Sequence, residues 1–138
     1  MAFESGLAAV VLLAGRLLFG GLVIYQGINH FLAPDAMAGY AEAKGVPAPK
    51  FGVVASGVML VFGGLGVAAG VYPTVAAGAV ATFLVVATPT MHDFWAVPEE
   101  QRQSEMTGFL KNLVMLGGAL AFLALSNAAW AYGVGIGL

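Results

Sequence analysis

The feature that most constrains this chain is a run of 42 residues without a charged side chain, from Phe51 to His92. As a single α-helix this run would be about 63 Å long, twice the roughly 30 Å hydrocarbon thickness of a bilayer. The segment 70–73 supplies a break, because its proline suits the first turn of a new helix. The run therefore predicts two membrane-spanning helices joined by a tight turn.

The rest of the chain continues this pattern, because 60% of its 138 residues are hydrophobic and only 9% are charged. Ten of the twelve charged side chains fall within residues 35–50 and 93–111. A span needs about 20 apolar residues, and uninterrupted apolar runs indicate helices rather than barrel strands. We predict an all-α membrane protein, a four-helix transmembrane bundle that forms one domain over residues 1–138. Its spans are expected at about 7–32, 51–70, 73–91 and 109–130.

Composition also excludes several classes of function. The formal net charge is −2 and the basic residues form no cluster, which argues against nucleic acid as a partner. The chain has no cysteine, so disulfides, thiolate nucleophiles and iron–sulfur clusters are excluded. It has two histidines, and we predict no metal site from them. Any redox chemistry would require a bound cofactor.

Charge also predicts how the chain is oriented in the membrane. Four spans place both termini and the 70–73 turn on one face and the polar loops 33–50 and 92–108 on the other. Lysine and arginine are concentrated in or beside these loops, and the positive-inside rule then places the loops in the cytoplasm of a multi-pass cell-membrane protein. The residues concerned are Lys44, Lys50, Arg102 and Lys111.

Arg16 is the one charged residue inside the first span. By helical rise it lies about 13 Å from the terminal face, where burial of arginine costs about 2.5–3.5 kcal/mol. No acidic residue lies at matching depth, so its partner is expected to be a carbonyl, a hydroxyl such as that of Thr82, a lipid phosphate or a ligand. Snorkelling toward the terminal face is the alternative.

Arg16 also begins a stripe along the first span, because a helix of 3.6 residues per turn aligns residues at spacings of 4, 3, 4 and 3. The stripe comprises Arg16, Gly20, Val23, Gly27 and His30. Its glycines favour a neighbouring helix over a flat ligand as the packing partner. Gln26 precedes His30 by one turn and is expected to fix the imidazole tautomer by hydrogen bonding.

A second group of polar residues is expected at the loop face, where topology brings His30 near the end of the third span. The group comprises His30, His92, Asp93, Lys111 and Asn112. Such residues can relay protons, hydrogen-bond the oxygens of a quinone, or supply two imidazoles to a haem. They can equally form an interfacial cap, with histidine, aspartate and lysine reaching water at helix ends.

Taken together, these motifs resemble the DoxX family of small membrane proteins over nearly the whole chain. The resemblance lies in Arg16–Gly21, Gly27, His30–Phe31, Gly45–Pro49, His92–Trp95, Phe109–Asn112 and Gly117–Gly118. It implies a four-helix bundle akin to the DoxD-like proteins, some of which are subunits of a thiosulfate:quinone oxidoreductase. Other members are associated with oxidative-stress or thiol-redox systems. The positions that match the family pattern are Arg16, His30, His92, Asp93, Lys111 and Asn112.

The leading hypothesis is a redox-associated integral membrane subunit with a quinone or similar lipid-soluble ligand within the bundle. Arg16 would stabilise negative charge on that ligand, and His30, His92 and Asp93 would handle protons. The chain would then be at most one subunit of a quinone-linked oxidoreductase, with membrane lipid around it. The alternative is a membrane anchor or assembly factor that recruits a soluble redox enzyme, or pairs with a second copy. A haem-bearing electron carrier is the third hypothesis.

Overall fold

A computed structural model describes residues 2–137 of the chain and shows a bundle of α-helices. The helices are α1 (Gly6–Leu32), α2 (Pro34–Ala43), α3 (Pro49–Ala69), α4 (Pro73–Met91) and α5 (Glu99–Leu125). All except α2 are long and apolar enough to cross a membrane. The predicted fold class, a four-helix transmembrane bundle, is therefore confirmed.

The break inside the long uncharged run has the expected position. Gly70 caps α3 in the left-handed conformation with φ +70°, which glycine adopts without steric cost. Tyr72 is also left-handed, with φ +45°, and Pro73 occupies the first turn of α4. The chain therefore reverses direction within three residues, and α3 and α4 form an antiparallel pair.

Two elements differ from the sequence expectation. The loop 33–50 contains the short helix α2, which starts at Pro34, and α5 covers Glu99–Leu125 where a span over Phe109–Trp130 was expected. Glutamates at the start of α5 suit the positive end of the helix dipole, so the charged segment joins the helix. At the other end the Ser126 hydroxyl donates to the Leu123 carbonyl, and the chain turns back toward α1.

Glycine determines how closely α1 approaches α3. A Cβ atom added at Gly20 would lie 2.5 Å from the Gly64 carbonyl oxygen, and one at Gly64 would lie 2.6 Å from the Gly20 oxygen. Every residue of the predicted α1 stripe is buried, and the helix that covers the stripe is α3. In lipid, where apolar surface provides no drive for association, such close backbone packing stabilises the helix pair.

The remaining long helices pack one after another along the chain. Helix α3 packs on α4, and α4 packs on α5, so the order of the long helices is α1, α3, α4, α5. The core between them contains Val23, Leu60, Val80, Leu84 and Ala119. Helices α1 and α5 approach each other through long side chains, such as those of Phe19 and Phe122 with ring centroids 5.2 Å apart. Large apolar side chains on the outer faces are exposed, as expected of surfaces that contact lipid.

At the terminal face the last residues fold back over the α3–α4 turn. The Val134 amide donates to the Ala69 carbonyl, and the Tyr72 amide donates to the Ile136 carbonyl at 2.7 Å. The Ala131 amide donates to the Phe3 carbonyl, which ties the two ends of the chain together. Both termini and the α3–α4 turn thus share one face, as the topology argument predicts.

Candidate functional site

Arg16 lies at the terminal end of the bundle, fully buried, and its guanidinium is bonded to three backbone carbonyls. Its Nε donates to the Val67 oxygen at 3.2 Å, and its two terminal nitrogens donate to the oxygens of Ala68 and Ala131 at 2.8 Å. The guanidinium carbon also lies 5.2 Å from the centre of the Trp130 ring, which is within cation–π range.

These contacts account for the end of α3. The last four carbonyls of a helix lack intrahelical partners, and positive charge is stabilised near them. In α3 the Gly66 carbonyl accepts a hydrogen bond from the amide of Val71. Arg16 donates to the next two carbonyls, those of Val67 and Ala68, and the Val134 amide donates to the carbonyl of Ala69. Arg16 therefore caps α3 and holds the C-terminal segment. Of the partners expected for Arg16 from the sequence, backbone carbonyls are therefore the ones that bind it. The Thr82 hydroxyl is not among its partners.

A partly open cavity of about 550 Å³ lies between the helices near the loop face. Its wall is mostly apolar and includes residues from all five helices. Five of the eight site residues named from sequence line it, and Ser56, Tyr40 and Thr90 add three further polar side chains to its wall. The five are Gln26, His30, Thr82, His92 and Asn112.

His30 is held in one orientation at the wall of this cavity. Its Nδ1 lies 3.1 Å from the Val53 carbonyl oxygen and 2.9 Å from the Ser56 hydroxyl. The hydroxyl in turn donates to the same carbonyl at 2.9 Å. A carbonyl can only accept, so the arrangement favours the tautomer with the proton on Nδ1. The other ring nitrogen, Nε2, is then an acceptor and makes no hydrogen bond among residues 2–137.

Gln26 does not perform the role expected of it. Its amide nitrogen lies 3.3 Å from the Met115 sulfur on α5, and Ser56 and Val53 orient His30 instead. Thr82 also bonds within its own helix, donating to the Gly78 carbonyl at 2.8 Å. Both side chains nevertheless line the cavity.

A polar network lies beside the cavity at the loop face, where Tyr40 and His92 belong to both. Lys44 forms an ion pair with Asp93 and lies 3.7 Å from a Glu105 oxygen. The Tyr40 hydroxyl bonds the same Glu105 oxygen, and the second Glu105 oxygen lies 3.0 Å from Nδ1 of His92. The side chains of Lys44 and Glu105 are only 11% exposed, whereas those of Asp93 and His92 are 26% and 29% exposed, so the network is only partly shielded from solvent.

Burial and neighbouring charges shift the pKa values of residues in this network. Burial raises the pKa of Tyr40, and the hydrogen bond to Glu105 raises it further. The hydrogen bond from Lys44 lowers the pKa of the Asp93 carboxyl. Burial acts to lower the pKa of Lys44, but Asp93 and the surrounding negative charge outweigh it and leave this pKa above its ordinary value. Lys44 and Asp93 thus remain charged across the physiological range.

The structure separates the predicted site residues into four places. Arg16 lies at the opposite end from the cavity, Asp93 belongs to the loop-face network, and Lys111 borders a groove between α1 and α5. The other five line the cavity. Within residues 2–137 no group of three or more histidine, cysteine, aspartate or glutamate side chains is arranged to hold a metal ion.

Sequence reasoning missed Ser56, Tyr40, Lys44 and Glu105. Glu105 could have been found from helical spacing, because it starts a stripe on α5 at spacings of 3, 4, 3, 4 and 3. That stripe comprises Glu105, Gly108, Asn112, Met115, Ala119 and Phe122. A Cβ atom at Gly108 would lie 2.6 Å from Nδ1 of His92, so the glycine makes room for the imidazole.

Four membrane-length helices around a cavity with polar groups at one end define a small multi-pass membrane protein. The family model that matches the sequence is DoxX, over residues 11–93, and the chain belongs to the DoxX family. The match covers α2, α3 and α4 and most of α1, which together provide much of the cavity wall. Comparisons with curated proteins and with solved structures gave no match.

Proposed function

We propose that this chain is a redox-associated membrane subunit that binds the head of a quinone-type, lipid-soluble molecule in the cavity. The observation that carries the proposal is the orientation of His30, which lines the cavity with its Nδ1 engaged and its Nε2 without a hydrogen bond among residues 2–137. A neutral imidazole nitrogen is a good acceptor for the hydroxyl of a quinol.

The cavity has the composition of a small-molecule site. Binding pockets typically measure about 300–1,000 Å³ and combine apolar walls with a few polar groups that orient the ligand. The cavity volume of about 550 Å³ falls in this range. The amide groups of Gln26 and Asn112 supply donors for a quinone carbonyl, whereas His30 supplies an acceptor. The Thr82 hydroxyl, whose proton is donated to the Gly78 carbonyl, can add only a second acceptor. The site thus offers partners to both redox states of the ring.

The loop-face network is suited to exchange protons with this site. His92 both lines the cavity and contacts Glu105, and Tyr40 links the same carboxylate to the cavity wall. In this proposal the chain binds the quinone head and handles its protons, while electrons are exchanged with a partner redox protein. The polar loop face, formed by α2 and the start of α5, is the surface on which such a partner would dock.

Quinone binding can be tested directly in nanodiscs. The purified protein is equilibrated with a ubiquinone analogue that carries a ten-carbon tail, and retained quinone is measured after separation from free nanodiscs. We expect saturable binding to the native chain. The affinity should fall about tenfold or more in His30→Ala, because that change removes the hydrogen bond that holds and orients the quinone head. Ser56→Ala should weaken binding less, since Val53 still orients the ring.

Asn29→Ala is the matched control, because Asn29 precedes His30 on α1 and does not line the cavity. Equal quinone retention by the native chain, His30→Ala and empty nanodiscs would refute the proposal. Capture of a soluble redox enzyme by such a quinone-free protein would instead support the anchor function. A Soret band after reconstitution with haem, lost in both His30→Ala and His92→Ala, would support the electron-carrier function.

We further propose that the loops 33–50 and 92–108 face the cytoplasm of a cell membrane. The support is the distribution of lysine and arginine, four of which lie at the loop end of the bundle. A protease-cleavable tag after Leu138 tests this orientation. Cleavage of the tag on intact cells is expected, and protection that ends only when the cells are lysed would reverse the orientation.

A further inference from the structure

A groove separates α1 from α5 on the outer surface of the bundle. It is lined by Phe19, Leu22, Val23, Gln26, Gly108, Lys111, Asn112, Val114 and Met115. At its terminal end Phe19 closes it, packing against Phe122 and over Gly118. Leu22 and Val114 flank it and are 61% and 77% exposed, so the groove opens on the surface that contacts lipid.

The groove adjoins the cavity at two residues. Gln26 and Asn112 line both spaces, one from α1 and the other from α5. At this boundary the helices are linked by the contact from the Gln26 amide to the Met115 sulfur. A thioether is a weak acceptor on a flexible side chain, so this link can open without disturbing the packed α1–α3 pair.

We infer that the groove between α1 and α5 is the lateral entrance of the cavity from the membrane, with Gln26 and Asn112 as its gate. The inference rests on the proposed quinone site. It names the class of ligand further: a molecule with a polar ring and an apolar tail, which passes through the groove on its way from lipid to the cavity. The mostly apolar groove suits the passage of such a molecule, and the two amide side chains stand where the groove meets the cavity.

A reversible cross-link across the groove tests the inference. Because the chain contains no cysteine, Leu22→Cys with Val114→Cys creates the only thiol pair. A short bifunctional methanethiosulfonate reagent joins α1 to α5, and a reductant releases it. The control pair is Thr74→Cys with Ser126→Cys, whose native hydroxyls lie 2.8 Å apart at the terminal end of the bundle.

Association and dissociation of the ten-carbon-tailed ubiquinone analogue are then followed in nanodiscs. We expect the groove cross-link to slow both rates by about tenfold or more while the dissociation constant stays nearly unchanged, because a gate alters access rather than the bound state. Reduction should restore both rates, and the control cross-link should change neither.

The outcomes separate this inference from the proposed function. If the quinone analogue binds the unlinked protein and its association and dissociation rates do not change after cross-linking of the groove, the lateral entrance is overturned and the quinone site stands. Absence of binding before any cross-link would overturn the quinone site itself, and the entrance with it. A cross-link that changes the dissociation constant as much as the rates would show a distorted site and would also overturn the gate.

Discussion

Replacement of Arg16 by leucine tests how the terminal end of the bundle is held together. The change removes the donor of three hydrogen bonds and leaves the carbonyls of Val67, Ala68 and Ala131 without their side-chain partner. It also removes a buried positive charge, which has the opposite effect on stability. The net effect depends on which of these two contributions is larger.

The magnitudes favour destabilisation. A buried carbonyl left without a donor costs about 1–3 kcal/mol, and three are affected. Removing the buried arginine avoids the cost of placing its charge in the membrane, which stabilises the variant by about 2.5–3.5 kcal/mol. With about 2 kcal/mol for each carbonyl, the expected loss in the free energy of unfolding is about 3 kcal/mol, or about 150-fold in the equilibrium constant.

The free energy is measured by SDS titration in mixed micelles, followed by far-ultraviolet circular dichroism. Amide hydrogen exchange at Val134 reports separately on the C-terminal segment and should accelerate in Arg16→Leu, because Arg16 anchors that segment through Ala131. Arg16→Lys should lose about half as much stability, since an ammonium cannot serve three separated carbonyls as a guanidinium does. Lys111→Leu is the control for loss of a charge alone. Native stability and exchange in Arg16→Leu would refute the capping role.

Three further predictions concern the other end of the bundle and α4. Gly108→Ala should cost about 1–3 kcal/mol by displacing the adjacent imidazole, while Gly117→Ala, with open space around it, should be neutral or stabilising in the same SDS titration. Thr88→Val should stabilise by about 1 kcal/mol, because the Thr88 hydroxyl is buried without a partner among residues 2–137; a loss of stability would contradict this. The lowered pKa of Asp93 stabilises the fold above its unfolded pKa of about 3.9, and the raised pKa of Lys44 does so below about 10.4. The stability difference from Asp93→Asn should therefore be flat between about pH 5 and 9 and shrink on acidification through the folded pKa; a maximum near pH 4 would contradict the ion pair.

Much of the bundle could be predicted because its determinants are local. Apolar run length and the break at Pro73 placed α3 and α4 to within two residues, and the α1 stripe identified the buried face of that helix. The limits of α5 could not be predicted from hydropathy, because its first turns are charged and continue helically out of the apolar region. Glu105 was therefore placed in the polar loop 92–108, although the residue is only 9% exposed.

The candidate site was predicted in its residue types and only partly in its geometry. His30 and His92 were expected near one membrane face, and both line the cavity there. The partners that orient them, Ser56 and Glu105, lie 26 and 13 residues away along the chain. Spacing within one helix carries no information about such pairs, because they depend on the rotation of each helix about its own axis.

The amino-acid sequence by itself determined that this chain spans a membrane four times and which face of α1 is buried, because hydrophobic length and helical period are properties of consecutive residues. Only the tertiary structure decided the role of Arg16. A guanidinium in an apolar span needs hydrogen-bond acceptors, and carbonyls at the end of another helix and in the C-terminal segment become its partners only when the bundle has assembled.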